Sequence, residues 1–385
     1  MSGSTDPVPS AGGTPIEDAL ERYFASLDAG GTIDTYRWVL QNGDRSFLAS
    51  LRENGVEYVG EIDVERCRDW GMELRTRHID GELNAATAHT YFRYARAFLS
   101  FCVRDQLLER NPAKTDAAEE FLPEDTGKRD RQFWDADVRN EILSYVSDRV
   151  DRSYDDASID TNRAYRDRVI VTLLALAGLR GAEMFRDPND DRRNGLSWAA
   201  VDLENGTVEV FGKSREYETV GLSERSRTAL ERHHAAAEPP TEEWPIFPTG
   251  HYNTKRNALI DAYDEDAVSQ WLEAERDRPN TVVVDELLRE KEVPPPSLSK
   301  NGGRRVMQRL CDEANLEIDG EYLKPHGGRR GLGHELYAGG KSEYAQQALR
   351  HQSIETTHDA YSDIKTEDVA NAIDEIVDSD GADRR

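Results

Sequence analysis

HGGRRGLGHELYAGGKSEYAQQALRHQSIETTHDAY, residues 326–361, is the stretch around which the rest of the chain is organised. Arg329 and Arg330 follow His326, a second histidine, His351, follows Leu349-Arg350, and Tyr361 stands ten positions beyond it. His326 and Arg329 are three apart, so at a helix start both can face one side. Ser353 to Thr357 reads as a polar lead into a short helix carrying Tyr361. This spacing suits a metal or a cofactor poorly. It suits a phosphodiester, with cations to hold it and a phenol to attack it.

Upstream, Pro294-Pro295-Pro296 breaks the chain before a basic helix expected over 298–315. Ser297 to Leu310 carries Lys300, Arg304, Arg305 and Arg309 and no acid. From Lys324 to Gln352 bases again outnumber acids, and Asn84 to Phe98 holds Arg93 and Arg96 without an acid. These three islands mark where a polyanion could touch. The whole chain has 49 basic against 75 acidic residues, a balance that ordinarily argues against nucleic acid. The acids are spread along the chain rather than gathered in a tail. Diffuse acidity with a low apolar fraction is the composition of a protein soluble in multimolar salt.

Thr161 to Leu179 predicts a buried helix (VIVTLLALAGL) that delivers Arg180-Gly181-Ala182-Glu183 at its end. TVEVF at 207–211 and YETVGL at 217–222 predict a β-hairpin with Lys213 at its turn. The loop Asp187 to Gly195 resembles a calcium loop superficially, but Arg192 takes the required glycine position and Trp198 the required glutamate position. Calcium is excluded on that ground. Glu242 to Val293 offers only helical patches at 258–263 and 265–275.

At the other end, Thr14-Pro15-Ile16-Glu17 reads as a capping box with proline at the first helical position. Further helices are expected from Thr35, over 64–77 and over 84–108, the last with Ala88, Tyr91, Ala95, Phe98, Leu99 and Cys102 on one core stripe. That leaves His89, Arg93 and Arg96 to face a partner. The expected organisation is a disordered lead-in over 1–14, a helical domain over 15–112, and a linker over 113–131. A second domain over 132–378 and a tail over 379–385 follow. The fold class is mainly α with a small antiparallel sheet. Cys67, Cys102 and Cys311 indicate neither a disulfide framework nor a zinc motif. The longest apolar run, 169–178, is too short to span a membrane, and the N-terminus lacks a secretory apolar core, so a cytoplasmic protein is expected.

Cutting a phosphodiester without a metal needs a nucleophile, cations on the two non-bridging oxygens, a proton acceptor for the nucleophile and a proton donor for the leaving oxygen. Tyr361, Arg180 with Arg329, His326 with His351, and Lys213 can supply these. Taken together and in order, they resemble the tyrosine recombinase (phage integrase) family. The matching pieces are GLRGAE at 178–183, LSWAAVDLENGTVEVFGK at 196–213, KPHGGRR at 324–330 and LRHQSIETTHDAY at 349–361. The N-terminal helices are similar to that family's core-binding (SAM-like) domain, and the rest to its mixed α/β catalytic domain.

The resemblance implies a site-specific recombinase or integrase that cuts and rejoins double-stranded DNA through a 3′-phosphotyrosyl intermediate, without a cofactor. Arg180 and Arg329 would then clamp the phosphate and Lys213 would protonate the leaving 5′ oxygen. His326 would handle a proton, His351 would hydrogen-bond the phosphate, Glu183 would order the site, and Tyr361 would be the nucleophile. DNA contacts are expected from Arg93, Arg96, Lys300, Arg304, Arg305 and Arg330. The resemblance also implies a tetramer on paired DNA sites, and a monomer or dimer when free. Val369, Ile373, Ile376 and Val377 form an apolar stripe expected to dock on this subunit or a neighbour.

Two residues depart from the family pattern: Arg330 stands where histidine is common, and Arg350 where glycine is usual. The segments 184–195 and 264–293 look like insertions. One rival is a DNA-binding protein on the same fold that no longer cuts, against which the full set of six residues argues. A metal hydrolase fails because His334 lacks the second histidine of the zinc-protease helix. An esterase fails because no G-x-S-x-G occurs.

Overall fold

The computed structural model describes residues 13–27, 30–125, 132–351 and 353–361. Most of the lead-in, the linker residues 126–131, the 369–377 stripe and the tail lie outside them. The chain divides into two compact units, 1–130 and 131–385.

The first unit is helical: α1 (Ile16–Ala25), α2 (Gly30–Arg37), α3 (Phe47–Glu53), α4 (Val64–Ile79), α5 (Ala85–Arg104) and α6 (Asp116–Glu119). Pro15 itself stands at the α1 cap without a side-chain bond and pairs with Tyr58 in a β-bridge, so the expected threonine cap is not used. Asp63 and Asn84 do cap, accepting from Arg66 N at 2.9 Å and Thr87 N at 2.8 Å, each worth about 1 kcal/mol. Phe92 rather than Tyr91 completes the buried stripe of α5, which packs on Leu20, Tyr23 and Phe24 of α1 and on Trp70 of α4. Ala113, Ala118 and Leu122 are buried in this same core. The expected linker is therefore folded into the first unit at least as far as residue 122.

The second unit contains α7 (Ala136–Arg152), α8 (Thr161–Leu176), α9 (Gly181–Met184) and a three-stranded sheet. Its strands β1 (Val201–Asp202), β2 (Thr207–Phe211) and β3 (Tyr217–Gly221) pair antiparallel in that order, with Val208 opposite Val220 and Phe211 opposite Tyr217. Then follow α10 (Glu224–Ala237), α11 (Tyr252–Ala262), α12 (Glu265–Ala274), α13 (Asn280–Glu290), α14 (Lys300–Ala314), α15 (Pro325–Ala338), α16 (Ser342–Leu349) and α17 (Ile354–Tyr361). α8 is central and buried from Val169 to Ala175. Asp167 gathers Arg149, Arg166 and Arg309, a paired buried charge rather than an isolated one. Val268, Val284 and Leu288 join the core, so the 264–293 segment packs into this unit as a helical pair.

α15 reaches α8 through glycines. A Cβ at Gly328 would stand 2.7 Å from the Leu174 carbonyl oxygen, and one at Gly331 would overlap the Trp134 carbonyl. Only bare backbone allows that approach. Among the described residues no helix is long and apolar enough to cross a membrane.

Candidate active site

α8 ends at Leu176 and the chain turns through Gly178, whose φ of +60° suits glycine. Arg180 follows at the start of the single-turn α9. Glu183 accepts from the Arg180 backbone N–H at 2.7 Å and from its Nη1 at 2.8 Å. Glu183 is 4% exposed and also accepts from Arg350 Nη2 at 2.6 Å. Burial pushes its carboxyl pKa up, but Arg350 and then Arg180 outweigh burial and hold it below the ordinary value. Glu183 is thus an ionised counter-charge shared by two arginines.

Arg350 adopts φ +51°. A left-handed backbone at a helix C-terminus is what glycine supplies most cheaply, so arginine here carries strain. Its guanidinium compensates by bridging Glu183 and Glu218, the latter at 3.2 Å. Glu218, on β3, also accepts from Ser214 Oγ at 2.9 Å, next to Lys213. The hairpin turn is thereby tied to the arginine pair.

Arg329 is 5% exposed. It donates Nη1 to the Gly178 carbonyl and Nη2 to the Leu349 carbonyl, joining the two loops that lead into Arg180 and His351. Burial, and then Arg180, pull its pKa down to about 9. It remains charged at neutral pH, with Arg180, Glu183, Arg350 and Tyr361 in its field.

His326 stands exposed at the start of α15. Desolvation by the surrounding protein, then Arg330, Arg329 and Arg180, hold it below the ordinary histidine value. His351 is held below that value by burial and then by Arg329 and Arg180, and its Nδ1 lies 2.9 Å from Thr357 Oγ1. Both rings are neutral at pH 7, and the Nδ1 contact leaves His351 Nε2 for another partner.

Tyr361 is 5% exposed, with Tyr337 and Phe133 rings at 6.1 and 6.4 Å. A methyl at Gly333 would overlap its hydroxyl. Gly333 is one helical turn beyond Arg329, so the same face of α15 carries the cation and the room for the phenol.

Arg180, Glu183, Lys213 and His326 line one cleft of about 710 Å³, together with Lys300 and Arg304. Arg329, His351 and Tyr361 do not line this cleft; Arg329 is buried behind it, within the electrostatic reach of Arg180, Glu183 and Tyr361. The 187–195 loop contributes Arg193, which sequence reasoning missed. Its Nη1 donates to the Ala182 and Phe211 carbonyls, both at 3.0 Å, and Nη2 donates to the Gly212 carbonyl at 2.8 Å. One guanidinium thus staples the hairpin base to α9. Among the described residues no three His, Cys, Asp or Glu side chains gather as a metal site would require.

The sequence pattern of the phage integrase family matches residues 147–368, more than half of the chain. The chain belongs to the phage integrase family. Relatives include tyrosine recombinase XerC of Xylella fastidiosa (strain M23), 26% identical over 234 residues, 60% of this chain and 68% of the relative. Tyrosine recombinase XerD of Pseudomonas aeruginosa is 25% identical over 205 residues, covering 53% and 58%. The Tn1549 transposon integrase in complex with circular intermediate DNA has the same fold, with TM-score 0.56 at 13% identity over 94% of this chain and 99% of that one. So has a lambda integrase dimer bound to a COC′ core site, with TM-score 0.51 at 14% identity, covering 89% and 96%.

On this integrase fold the expected DNA contacts differ in availability. Arg304 and Arg305 are exposed on α14, whereas Lys300 is engaged by Asp187 at 2.5 Å. Arg309, from the same basic island, is turned to Asp167 and Glu313. Arg330 is half-buried and acts electrostatically on His326. In the first unit Arg93 is exposed and donates to Thr90 Oγ1 at 2.8 Å, while Arg96 is paired with Glu119. His89 is bound to the Pro123 carbonyl at 2.8 Å rather than left for a partner.

Proposed function

We propose that this integrase-family chain cuts and rejoins DNA site-specifically with Tyr361 as nucleophile. The observation that carries the reading is the buried Glu183 holding Arg180, with Arg329 fixed beside it between the Gly178 and Leu349 carbonyls. That is a preorganised pair of planar cations for a developing phosphorane charge. The Tyr361 oxygen attacks phosphorus and the P–O5′ bond breaks, leaving a 3′-phosphotyrosyl ester. His326, neutral at pH 7, takes the phenol proton, Lys213 gives a proton to the departing 5′ oxygen, and His351 Nε2 donates to a non-bridging oxygen. The ester keeps the bond energy, so a second 5′ hydroxyl can displace tyrosine and reseal the strand.

Double-stranded DNA is the partner, in keeping with the DNA-bound integrases that share the fold. The first unit acts as a core-binding domain through Arg93, α14 contributes Arg304 and Arg305, and four subunits act on paired sites in the cytoplasm. The diffuse acidity fits concentrated-salt surroundings. Substituting Arg180 or Arg329 by lysine tests the cation pair, because charge stays while the two-point fork is lost. Single-turnover cleavage in excess EDTA should drop by roughly 10²-fold or more. Wild-type rates in both variants would remove the arginine pair from the mechanism.

A further inference from the structure

A second cationic pocket lies outside the cleft, between α7, α8 and α10, with a volume of about 370 Å³. Arg168 and Thr172 of α8 line it, facing Arg225, Thr228 and Arg232 of α10. Arg168 is 8% exposed, and its Nε and Nη2 are buried without a hydrogen-bond partner. Its flat face is occupied, 5.0 Å above the Tyr165 ring. The two unfilled donors form the side-on edge of the guanidinium, the edge that takes two oxygens of one oxyanion in parallel.

The surroundings make these unpaired donors unusual. The preceding residue, Asp167, neutralises Arg149, Arg166 and Arg309. By contrast, among the described residues no carboxylate oxygen comes within 4.0 Å of Arg168, Arg225 or Arg232. Acids outnumber bases 75 to 49 in this chain, so three arginines lining one pocket without a close ion-pair partner are a place for an anion from elsewhere. A buried charge left unpaired is costly, and its donors demand acceptors. Burial, and then Arg232, hold the Arg168 pKa below its ordinary value against the opposite pull of Tyr165 and Asp151. Glu224 lines the pocket's edge, and Asp151 acts on Arg168 from farther off.

We propose that this pocket is a second phosphate-oxyanion site, with Arg168 as the buried charge at its floor and Arg225 and Arg232 closing over the bound group. The threonine hydroxyls add neutral donors. The volume accommodates a phosphate and part of whatever carries it, so the phosphate is supplied either free in solution, as inorganic phosphate or a phosphorylated small molecule, or by a DNA backbone. Binding would tie α7, α8 and α10 together behind the loop that presents Arg180.

The test titrates inorganic phosphate into the full-length protein in concentrated KCl, read by calorimetry. An Arg180→Gln variant is included because the cleft is itself phosphate-competent. Phosphate should still bind to Arg180→Gln, weaken about tenfold or more in Arg225→Gln/Arg232→Gln, and tighten in Glu224→Gln, as charge-assisted contacts to one anion require. Because Arg225 and Arg232 are exposed, the double variant should keep the wild-type fold. Affinity for a short DNA duplex then separates the sources. A drop in affinity and in its salt slope in the double variant assigns the site to backbone phosphate. Unchanged duplex binding with lost phosphate binding assigns it to free phosphate or a small phosphorylated ligand. Equal phosphate affinity with and without Arg225→Gln/Arg232→Gln in the Arg180→Gln background, or no phosphate binding once Arg180 is replaced, overturns the proposal.

Discussion

Replacing Glu183 by glutamine keeps the shape of the side chain and removes its charge. Glu183 takes three donors, the Arg180 backbone and Nη1 groups and Arg350 Nη2, at 2.7, 2.8 and 2.6 Å. The glutamine amide would turn a donor toward one of them. More important, Arg180 and Arg350 would lose their shared counter-charge with Arg329 also close by. Removing one partner of a buried ion pair costs about 3–5 kcal/mol. The Arg180 and Arg350 side chains are 21% and 11% exposed, so water screens part of that loss and the lower end, about 3 kcal/mol, applies. For a unit of this size that is a fall of about 6–12 °C in its thermal midpoint, at roughly 2–4 °C per kcal/mol. Differential scanning calorimetry in concentrated KCl would read it. The Glu183 pKa is depressed in the folded state, so its stabilisation is complete above 4.5 and disappears as pH falls through the lower folded value. The gap between wild type and Glu183→Gln must therefore narrow on acidification. A midpoint within about 2 °C of wild type at pH 7.5, where the shift should be full-sized, would refute the shared counter-charge.

Other consequences follow from the same geometry. Gly331→Ala places a methyl on the Trp134 carbonyl and should lower the second unit's midpoint sharply, by more than the about 1–3 kcal/mol of ordinary overpacking. Gly221→Ala meets open space and should be near neutral by the same melt. In single-turnover cleavage, the acid limb should lie below 6.5, because His326, the proton acceptor, has a lowered pKa and loses that capacity only on further acidification. An acid limb above 6.5 would contradict the histidine assignment.

Local patterns carried much of the fold. The hairpin around Lys213 was readable because alternation and a polar turn are short-range signals. α14 and the buried α8 were readable from their periodicity and apolar run. What escaped was set by contacts between distant segments. Thr14 looked like a cap, but Pro15 is committed to a bridge with Tyr58. Residues 113–122 looked like linker because their acids are conspicuous, yet three small or apolar side chains among them are enough to fill the first core.

The site shows the same division. Arg180, Lys213, Arg329 and the two histidines stood out by residue type and order. Arg193 did not, since nothing within DDRRNG says that one of its arginines turns inward to three carbonyls. Nor did sequence show that the glycines at 327, 328 and 331 form a packing face against Trp134 and Leu174, while Gly333 opens the other side of the helix to Leu349 and Tyr361; the recurrence of the first three on one side of a helix was the available signal. Arg350 was visible only as a departure. Its left-handed backbone explains why glycine suits the position, and its bond to Glu218 shows what the arginine adds.

The most direct measurement of the central claim is the chemical identity of the protein–DNA link. A duplex nicked near the cleavage point loses its short fragment after cutting and traps the covalent complex. Run in EDTA and concentrated KCl, then digested and sequenced by mass spectrometry, the trapped complex should carry a 3′-phosphate ester on Tyr361. Tyr361→Phe, which removes only the hydroxyl that Gly333 makes room for, should bind the duplex, melt like wild type and yield no adduct. An adduct on Tyr337 or Tyr344, or wild-type yield from Tyr361→Phe, would contradict the account.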